Sequence, residues 1–375
     1  FKIQSIHYEI GLLILVFVII ALTICAVVRH VLKNTQVPYT VALLIIGLCL
    51  GFINRTDFFS SYAPLLANTL DIVAGISPHI IMFVFLPTLI FESAFAMEVH
   101  LFRRMFMQIA LLAIPGLMLA TALTAGLAKG MFPWEWTWPL CFLFGALISA
   151  TDPVAVVALL KEVSSRKRLE TLIEGESLLN DGTAIVFFTI FYGWVIASGD
   201  ISIDGFQVVG RFAWVVSIGF AIGVALGGLC IIWIGRVFND PMIEITVSIA
   251  AAYLVFFIAE SVHASGVVAV VALALMFASI GRTRVSPEVS GFLHHFWEMM
   301  AHIANTLIFL VVGILIAARV PLNDWQLWKS LGILYIGIVF IRGISIAVFM
   351  PVLKRIGIGI TKEKAIVLLM SLINI

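Results

Sequence analysis

The chain has 375 residues and a formal net charge of +1; 62% of the residues are hydrophobic and only 11% are charged. Soluble domains contain about 25% charged residues, so this composition excludes a soluble globular protein and predicts a polytopic membrane protein. The few basic residues form no cluster with interleaved aromatic residues, which argues against nucleic-acid binding. The four cysteines lie in apolar stretches without Cys-x-x-Cys spacing, and we assign them no chemistry.

Stretches long enough to cross a bilayer, which takes about 20 apolar residues, recur along the whole chain. The predicted fold is therefore an all-α polytopic membrane protein that lies in the lipid bilayer. Both ends look cut, because the chain begins at Phe1 and stops at Ile375 within an apolar stretch. We predict eleven spans and the start of a twelfth, at roughly 8–29, 37–53, 77–96, 104–128, 136–160, 171–198, 207–235, 242–262, 265–281, 294–318, 326–351 and 363–375.

Lysine and arginine are distributed unevenly between the loops. Of the 22, fifteen lie in loops after odd-numbered spans and five in loops after even-numbered spans. Cytosolic loops carry an excess of these residues, so we predict that the odd-numbered loops are cytosolic and that the N-terminus is outside. Tryptophans, which favour membrane interfaces, cluster where spans five and eleven meet the predicted outer surface: Trp134, Trp136, Trp138, Trp325 and Trp328.

The fifth predicted span contains the sequence Ser149-Ala150-Thr151-Asp152-Pro153. Pro153 has no N–H for the carbonyl of Ser149 and its ring clashes with that turn, so we expect the helix to break here. Transporters place ion sites at such breaks, and freed carbonyls together with Thr151 and Asp152 offer oxygen ligands to a small cation. The alternative is a proline-kinked helix in which Asp152 caps the second half.

The sixth predicted span contains Glu174-Gly175-Glu176-Ser177-Leu178-Leu179-Asn180-Asp181, three acids with no basic residue among them. A charge near the bilayer centre costs about 2.5–3.5 kcal/mol on insertion scales, so these acids should face the protein interior or a wet cavity. Asp181 is the deepest, and Ser177 and Glu174 precede it by one and two turns on nearly the same face. The spacing predicts a polar track toward the cytosolic end. Alternatively, Asp181 holds a fixed interhelical contact, and Glu174 and Glu176 make structural polar contacts.

Two further charged residues lie in predicted spans. Arg342 is in the middle of span eleven, so its guanidinium must reach a carboxylate or carbonyl groups elsewhere in the bundle. We expect a structural role for it. Glu260 ends span eight just before His263-Ala264-Ser265-Gly266, where we expect an interface or packing role.

At these residues the chain resembles the monovalent cation:proton antiporters, specifically the sodium/proton exchangers. The stretch from His294 to Phe309 is most similar to the branch that holds the plant salt-tolerance exchangers and the sperm-specific exchangers, and we favour the sperm-specific type. The family's signatures are present as Ala150-Thr151-Asp152-Pro153-Val154-Ala155-Val156, Gly175-Glu176-Ser177-Leu178-Leu179-Asn180-Asp181 and Leu86-Pro87-Thr88-Leu89-Ile90-Phe91-Glu92-Ser93.

The resemblance implies a membrane transport domain of about 12–13 transmembrane helices with two inverted repeats, at about 8–198 and 207–375, whose broken helices cross in the core. It implies a homodimer in the plasma membrane, or in the sperm flagellar membrane for the sperm-specific type, with regulatory domains after residue 375. It also implies no cofactor and no catalytic residue, since Na⁺ and H⁺ are cargo. The implied Na⁺ and H⁺ site comprises Asp181, Asn180, Asp152 and Thr151, with Na⁺ at Asp181 and Asp152, and the implied core supports are Glu176, Arg342, Pro153 and Ser177.

One departure from the family is found at Ser371-Leu372-Ile373-Asn374, where the family has Gly-Gly-Leu-Arg or Ser-Gly-Leu-Arg. Either the glycine and the arginine are lost, which puts activity in doubt, or residues are missing from the sequence there. The leading functional hypothesis is electroneutral exchange of Na⁺ for H⁺ by alternating access at one aspartate. A cation channel would need a continuous polar pore, which the sequence does not offer. An inactive exchanger-like sensor or scaffold is the other alternative.

Overall fold

The computed structural model describes residues 2–33, 38–56, 58–150, 167–196, 205–236, 240–281, 287–321 and 324–355. Every regular element in these ranges is a helix, as the composition predicts. Among the described residues, eight helices are long and apolar enough to cross a membrane, and four more apolar helices are shorter. The predicted twelfth span, 363–375, lies outside the described residues.

The chain forms two compact units, each built from separate stretches. Unit 1 is Phe1–Leu89 with His295–Asn323, and unit 2 is Ile90–His294 with Asp324–Ile375. Each unit therefore takes residues from both predicted repeats. A repeat is defined by chain order and a compact unit by contacts, so the inverted repeats remain a prediction.

Unit 1 is an apolar helical bundle. It contains α1 (Lys2–Leu32), α2 (Tyr39–Arg55), α3 (Phe58–Tyr62) and α4 (Pro64–Ala74), with most of α5 (Pro78–Ala96) and of α13 (Pro287–Arg319). Helix α1 packs against α2 and α4. The buried cluster at the centre contains Phe17, Ala21, Leu70, Val73, Leu307, Leu310, Val311 and Ile314.

Helices α2 and α13 approach each other closely at glycines. A Cβ on Gly313 would lie 2.5 Å from the carbonyl oxygen of Leu44 and 2.8 Å from the backbone nitrogen of Leu48. A Cβ on Gly47 would come similarly close to the carbonyl oxygen of Leu310. Close backbone contact through small residues is the usual way to pack helices in lipid, because apolar burial provides no drive there.

Helix α4 is an element that the sequence reading did not predict. Its 11 residues, which start with Pro64 at the first helical turn, form a helix of only about 16 Å. That length is well below the roughly 30 Å of a hydrocarbon core, so a search for spans of about 20 apolar residues passes over it. Asn54 Nδ2 donates to Asp71 Oδ1 at 2.8 Å and ties the end of α2 to this helix.

Unit 2 holds the remaining helices. Its longest span runs as α6 (Val99–Leu111), a π-helical turn (Leu112–Gly116) and α7 (Leu117–Met131). Pro115 lies inside the π turn and has no N–H for the regular ladder, so the widened turn accommodates it. The other helices are α8 (Trp138–Ser149), α9 (Lys167–Ile196), α10 (Gly205–Ile234), α11 (Pro241–Ser261), α12 (Gly266–Ser279) and α14 (Trp325–Leu353).

Local sequence explains where several of these helices begin. The carboxylate of Asp240 accepts from the backbone N–H groups of Met242 and Ile243 at 3.0 and 3.3 Å, with Pro241 at the first helical position. Asp324 caps α14 by accepting from Gln326 N at 2.9 Å. Such caps satisfy backbone donors that have no partner inside the helix.

Helix α9 is the central element of unit 2. It packs against α8, α6, the π turn, α10 and α12. A Cβ on Gly175 would lie 2.7 Å from Ile109 Cδ1 and 3.2 Å from Phe102 Cδ2, so a larger residue at this position would displace side chains of α6. The acidic segment of α9 is therefore held by helices on several sides.

Candidate functional site

Helix α8 ends at Ser149, directly before the Thr151-Asp152-Pro153 sequence. The next residue, Ala150, has an extended backbone with ψ 129°. The regular helix thus stops where the sequence predicts an interruption. Thr151, Asp152 and Pro153 themselves lie outside the described residues, so their proposed roles as ligands and as the cause of the break remain predictions.

The acidic segment of α9 has two faces that differ in burial. Glu176, Asn180 and Thr183 are buried at 3%, 0% and 5% exposure. Glu174 and Ser177 are half-buried, and Asp181 is exposed. The two sets follow helical spacing, so one face points into the protein and the other is accessible from outside it.

Glu176 on the buried face forms an ion pair with Arg342 of α14. Arg342 Nη2 donates to Glu176 Oε1, and the side chains are only 6% and 4% exposed. Desolvation offsets much of the attraction in such a pair, but removal of one partner leaves the other charge buried and costs about 3–5 kcal/mol. The guanidinium of Arg342 is therefore the partner of the Glu176 carboxylate.

One turn beyond Arg342, a second polar contact joins α14 to the longest span of unit 2. Ser345 Oγ donates to the carbonyl oxygen of Gly116 at 3.1 Å, and both groups are buried. Gly116 is the last residue of the π turn, so this contact joins α14 to the point where the long span changes its helical geometry. Sequence reasoning missed this contact, although the spacing from Arg342 to Ser345 places both on one helical face.

Asn180 is fully buried, and neither Oδ1 nor Nδ2 of its amide has a hydrogen-bond partner in the part of the chain that the structure describes. An unsatisfied buried polar group costs about 1–3 kcal/mol. The amide of Asn180, which precedes Asp181, is therefore available to bind an ion. An amide oxygen is a suitable ligand for a small hard cation. Asn180 thus fits the role that the resemblance implies for it.

A buried hydroxyl pair lies at the end of α8. Thr124 Oγ1 of α7 is 3.5 Å from Ser149 Oγ, and both residues are buried. Neither residue was singled out from the sequence. The only available signal was the position of Ser149 immediately before the Thr151-Asp152-Pro153 segment. The pair is a polar contact between α7 and the end of α8.

Two other acids of unit 2 lie in α11. Glu244 is 1% exposed and was not recognised from the sequence, because it lies near a predicted span boundary where an acid is unremarkable. Glu260 Oε1 accepts from the backbone N–H of Gly266 at 2.9 Å, at the start of α12. Glu260 therefore connects α11 to α12, which agrees with the packing role expected for it.

Among the described residues, no group of three or more His, Cys, Asp or Glu side chains could hold a metal ion. The predicted cation site draws on Asp152 and Thr151, which lie outside those residues. Its geometry therefore remains a prediction.

A family described as "Sodium/hydrogen exchanger, transmembrane" matches residues 15–375, which is nearly the whole sequence. The chain belongs to this family. The sequence signatures around Asp152 and Asp181 led to the same family.

Similar curated proteins include two from Arabidopsis thaliana. Sodium/hydrogen exchanger 7 is 42% identical over 95% of this chain and 31% of its own length. Sodium/hydrogen exchanger 8 is 39% identical over 92% of this chain and 46% of its own length. The chain thus spans a third to a half of these relatives. Both are plant proteins, so the preference for the sperm-specific branch is not supported.

The fold is also found in a solved structure. The sodium proton antiporter MjNhaP1 from Methanocaldococcus jannaschii matches with a TM-score of 0.74 at 16% identity, covering 96% of this chain and 87% of that chain. At this identity the likeness concerns the fold alone. The predicted all-α antiporter fold class is confirmed, and the chain is a multi-pass membrane protein.

Proposed function

We propose that this protein exchanges Na⁺ for H⁺ across a membrane by alternating access at Asp181. The observation that carries the proposal is the division of acids on α9. Glu176 is buried and tied to Arg342, whereas Asp181 is on the exposed face beside the buried amide of Asn180. A charge at membrane depth must face a wet cavity, and an accessible carboxylate there can take up a proton or a cation. The two Arabidopsis thaliana relatives are named as sodium/hydrogen exchangers, which supports the choice of Na⁺ and H⁺ as the exchanged ions.

The charge of the site favours electroneutral exchange. Asn180 is neutral and the charge of Glu176 is compensated, so one deep carboxylate accepts either one Na⁺ or one proton. Each transport cycle then moves one ion of each kind in opposite directions. We expect no net current, and two protons per Na⁺ would contradict the mechanism.

Competition for one carboxylate also determines the pH dependence. At low pH, protons occupy Asp181 and exclude Na⁺. At high pH, no proton is available for the return step. The exchange rate should therefore pass through a maximum between these limits. Raising the Na⁺ concentration should shift the acid side of that profile to lower pH.

We propose that Asp152 and Thr151 contribute oxygen ligands at the interruption after α8, together with Asn180. Asp152→Asn should lower Na⁺ affinity and exchange rate while the protein still folds. The measurement is the Na⁺ concentration for half-maximal exchange, with the unfolding temperature measured in parallel. If Asp152→Asn instead prevented folding, a capping role for Asp152 would be favoured over a ligand role.

Purified protein in proteoliposomes tests the function directly. An imposed Na⁺ gradient should drive H⁺ movement, and an imposed H⁺ gradient should drive Na⁺ movement. Neither gradient should change the zero-current voltage, because the exchange moves no net charge. A channel would produce a current, and a scaffold would produce no flux. Either result would overturn the proposal.

We also propose that the exchanger is a homodimer in the plasma membrane with odd-numbered loops in the cytosol. In a variant without native cysteines, Ser164→Cys should react with impermeant thiol reagents only from the cytosolic side. Asn34→Cys should react from the same side unless the stretch 58–74, which contains α4, crosses the membrane. Labelling of Ser164→Cys from outside would reverse the predicted orientation.

A further inference from the structure

A basic groove lies where α6 begins and α12 ends. Its cavity of about 980 Å³ is lined by Glu98, Val99, His100, Arg103, Arg104, Ala278 and Ser279. All of these residues belong to unit 2, and α6 packs against α12. The groove is therefore a feature of one compact unit, and none of these lining residues belongs to α9.

The described residues of the groove carry a net positive charge. His100, Arg103 and Arg104 are exposed, and the part of the chain that the structure describes offers none of them a hydrogen bond or an ion pair. The one acid on the rim, Glu98, accepts from Lys167 at 3.4 Å. The guanidinium groups of Arg103 and Arg104, which both line the cavity, thus remain for an external anion. Guanidinium groups bind phosphate oxygens in a bidentate manner, and phosphate is a suitable partner for such a pair.

The backbone adds to this attraction. Helix α6 begins at Val99, and the side chain of its N-cap residue Glu98 makes no capping hydrogen bond. The first N–H groups of an α-helix have no partner within the helix, and together they favour an anion. Val99 and His100 bring this end of α6 into the groove.

An apolar surface continues from the basic one. Met107 lies one turn after Arg103 and Arg104 on the same face of α6 and is 65% exposed. A ligand with a phosphate at the arginines would place a hydrocarbon chain about 5 Å further along the helix, beside Met107. This sequence of charged and apolar surface matches a lipid, with its headgroup at the arginines.

We propose that the groove binds an anionic lipid whose headgroup carries a phosphomonoester. The loop before α6 is cytosolic in the predicted orientation, and the cytosolic leaflet is the one that holds anionic lipids. A phosphomonoester carries about 1.5 to 2 negative charges near neutral pH, which matches two arginines better than the single charge of a phosphodiester. The cavity is large enough for a phosphorylated sugar headgroup with water.

Binding is measured as the rise in unfolding temperature of the purified exchanger in detergent during titration with soluble dioctanoyl lipids. Dioctanoyl phosphatidic acid and dioctanoyl phosphatidylinositol bisphosphate should produce saturable stabilisation. Dioctanoyl phosphatidylserine, with one phosphodiester and a carboxylate, should bind at least tenfold more weakly. Equal binding of all three would overturn the phosphomonoester requirement.

Two double variants localise the site. Arg103→Gln with Arg104→Gln should weaken lipid binding at least tenfold, whereas Lys354→Gln with Arg355→Gln should leave it unchanged. The second pair removes the same charge from exposed residues on the same predicted side. Arg103→Lys with Arg104→Lys should give intermediate affinity, since the charge stays and bidentate contacts are lost. Equal binding to the glutamine variant and the unchanged protein would overturn the proposal.

Soluble inositol trisphosphate distinguishes the lipid from a free polyphosphate. It should bind more weakly than the lipid, because it makes no contact with Met107. Met107→Ser should reduce the affinity for the lipid and leave that for inositol trisphosphate unchanged. Equal affinity for both ligands would identify a soluble polyphosphate site and overturn the lipid proposal.

Discussion

Unit 1 and unit 2 bury very different side chains. Among the described residues, the buried polar side chains of unit 1 are threonines, and two of them, Thr69 and Thr306, donate to the carbonyl four residues earlier. The buried charged residues in the described ranges are Glu176, Glu244 and Arg342, and all three lie in unit 2. Unit 1 therefore buries polar groups at little cost, whereas unit 2 holds groups that must be compensated.

The comparison suggests different tasks for the two units. Close glycine contacts and an apolar cluster hold unit 1 together, and nothing in its described part needs a buried charge. Unit 2 combines a buried ion pair, a π turn, a helix that stops at Ser149 and the amide of Asn180, which has no hydrogen-bond partner among the described residues. Ionisable groups inside a membrane protein are functional-site candidates by default, which agrees with the ion site proposed at Asp181 in unit 2.

The largest expected effect is on exchange activity, when an aspartate of unit 2 and an aspartate of unit 1 are each replaced by asparagine. Asp181→Asn should abolish exchange, because a neutral amide can neither bind a proton nor compensate a cation. The matched control in unit 1 is Asp71→Asn, an aspartate whose partner is Asn54, and it should leave exchange nearly unchanged. Gradient-driven flux in proteoliposomes measures both. Persistent exchange in Asp181→Asn would indicate that another acid carries the ion.

Loss of the buried ion pair should have the next largest effect. Arg342→Ala should lower the free energy of unfolding by about 3–5 kcal/mol, since Glu176 is left charged and buried. Glu98→Gln, which removes the negative charge from the exposed contact with Lys167, should cost less than about 1 kcal/mol. Thermal or denaturant unfolding in detergent compares them. A combined Glu176→Leu and Arg342→Met variant should recover stability, and no recovery would show that more than the ion pair holds these helices.

A smaller effect is expected from the glycine contact of unit 1. Gly313→Ala would place a methyl group against the carbonyl of Leu44 and should destabilise the protein by roughly 1–3 kcal/mol through overpacking. Gly11→Ala in α1 is the control, because a Cβ there would meet nothing within 4 Å. The unfolding temperature of each variant is the measurement. Equal stability of both variants would mean that α2 and α13 can separate without cost.

The smallest effect is expected at a buried threonine of unit 1. Thr306 Oγ1 donates to the carbonyl of His302 at 2.8 Å and lies 3.0 Å from Cys25 Sγ. Thr306→Val keeps the shape and removes a hydroxyl whose carbonyl partner already serves the helix, so we expect less than about 1.5 kcal/mol of destabilisation. Exchange should be unchanged. A loss of exchange in this variant would contradict the assignment of ion binding to unit 2.

Much of the fold was predictable because it depends on local composition. A run of about 20 apolar residues needs no knowledge of the rest of the chain to be identified as a span. The interruption after Ser149 could be predicted from the sequence, because a proline at position 153 is expected to disrupt the helix within one turn. Glu174, Ser177 and Asp181 could be assigned to one face from helical spacing alone. Helix α4 was missed because 11 residues fall below the length that this reasoning requires.

By itself the sequence determined the membrane class, the family signatures and the presence of an arginine that needed a buried partner. Only the tertiary structure identified that partner as Glu176, 166 residues away. It also separated Glu176 from Asp181, showed the buried amide of Asn180 and brought α6 and α12 together around the basic groove. The physical reason is that helix formation follows local hydrogen bonding and hydropathy, whereas pairing between helices depends on contacts that sequence distance does not specify.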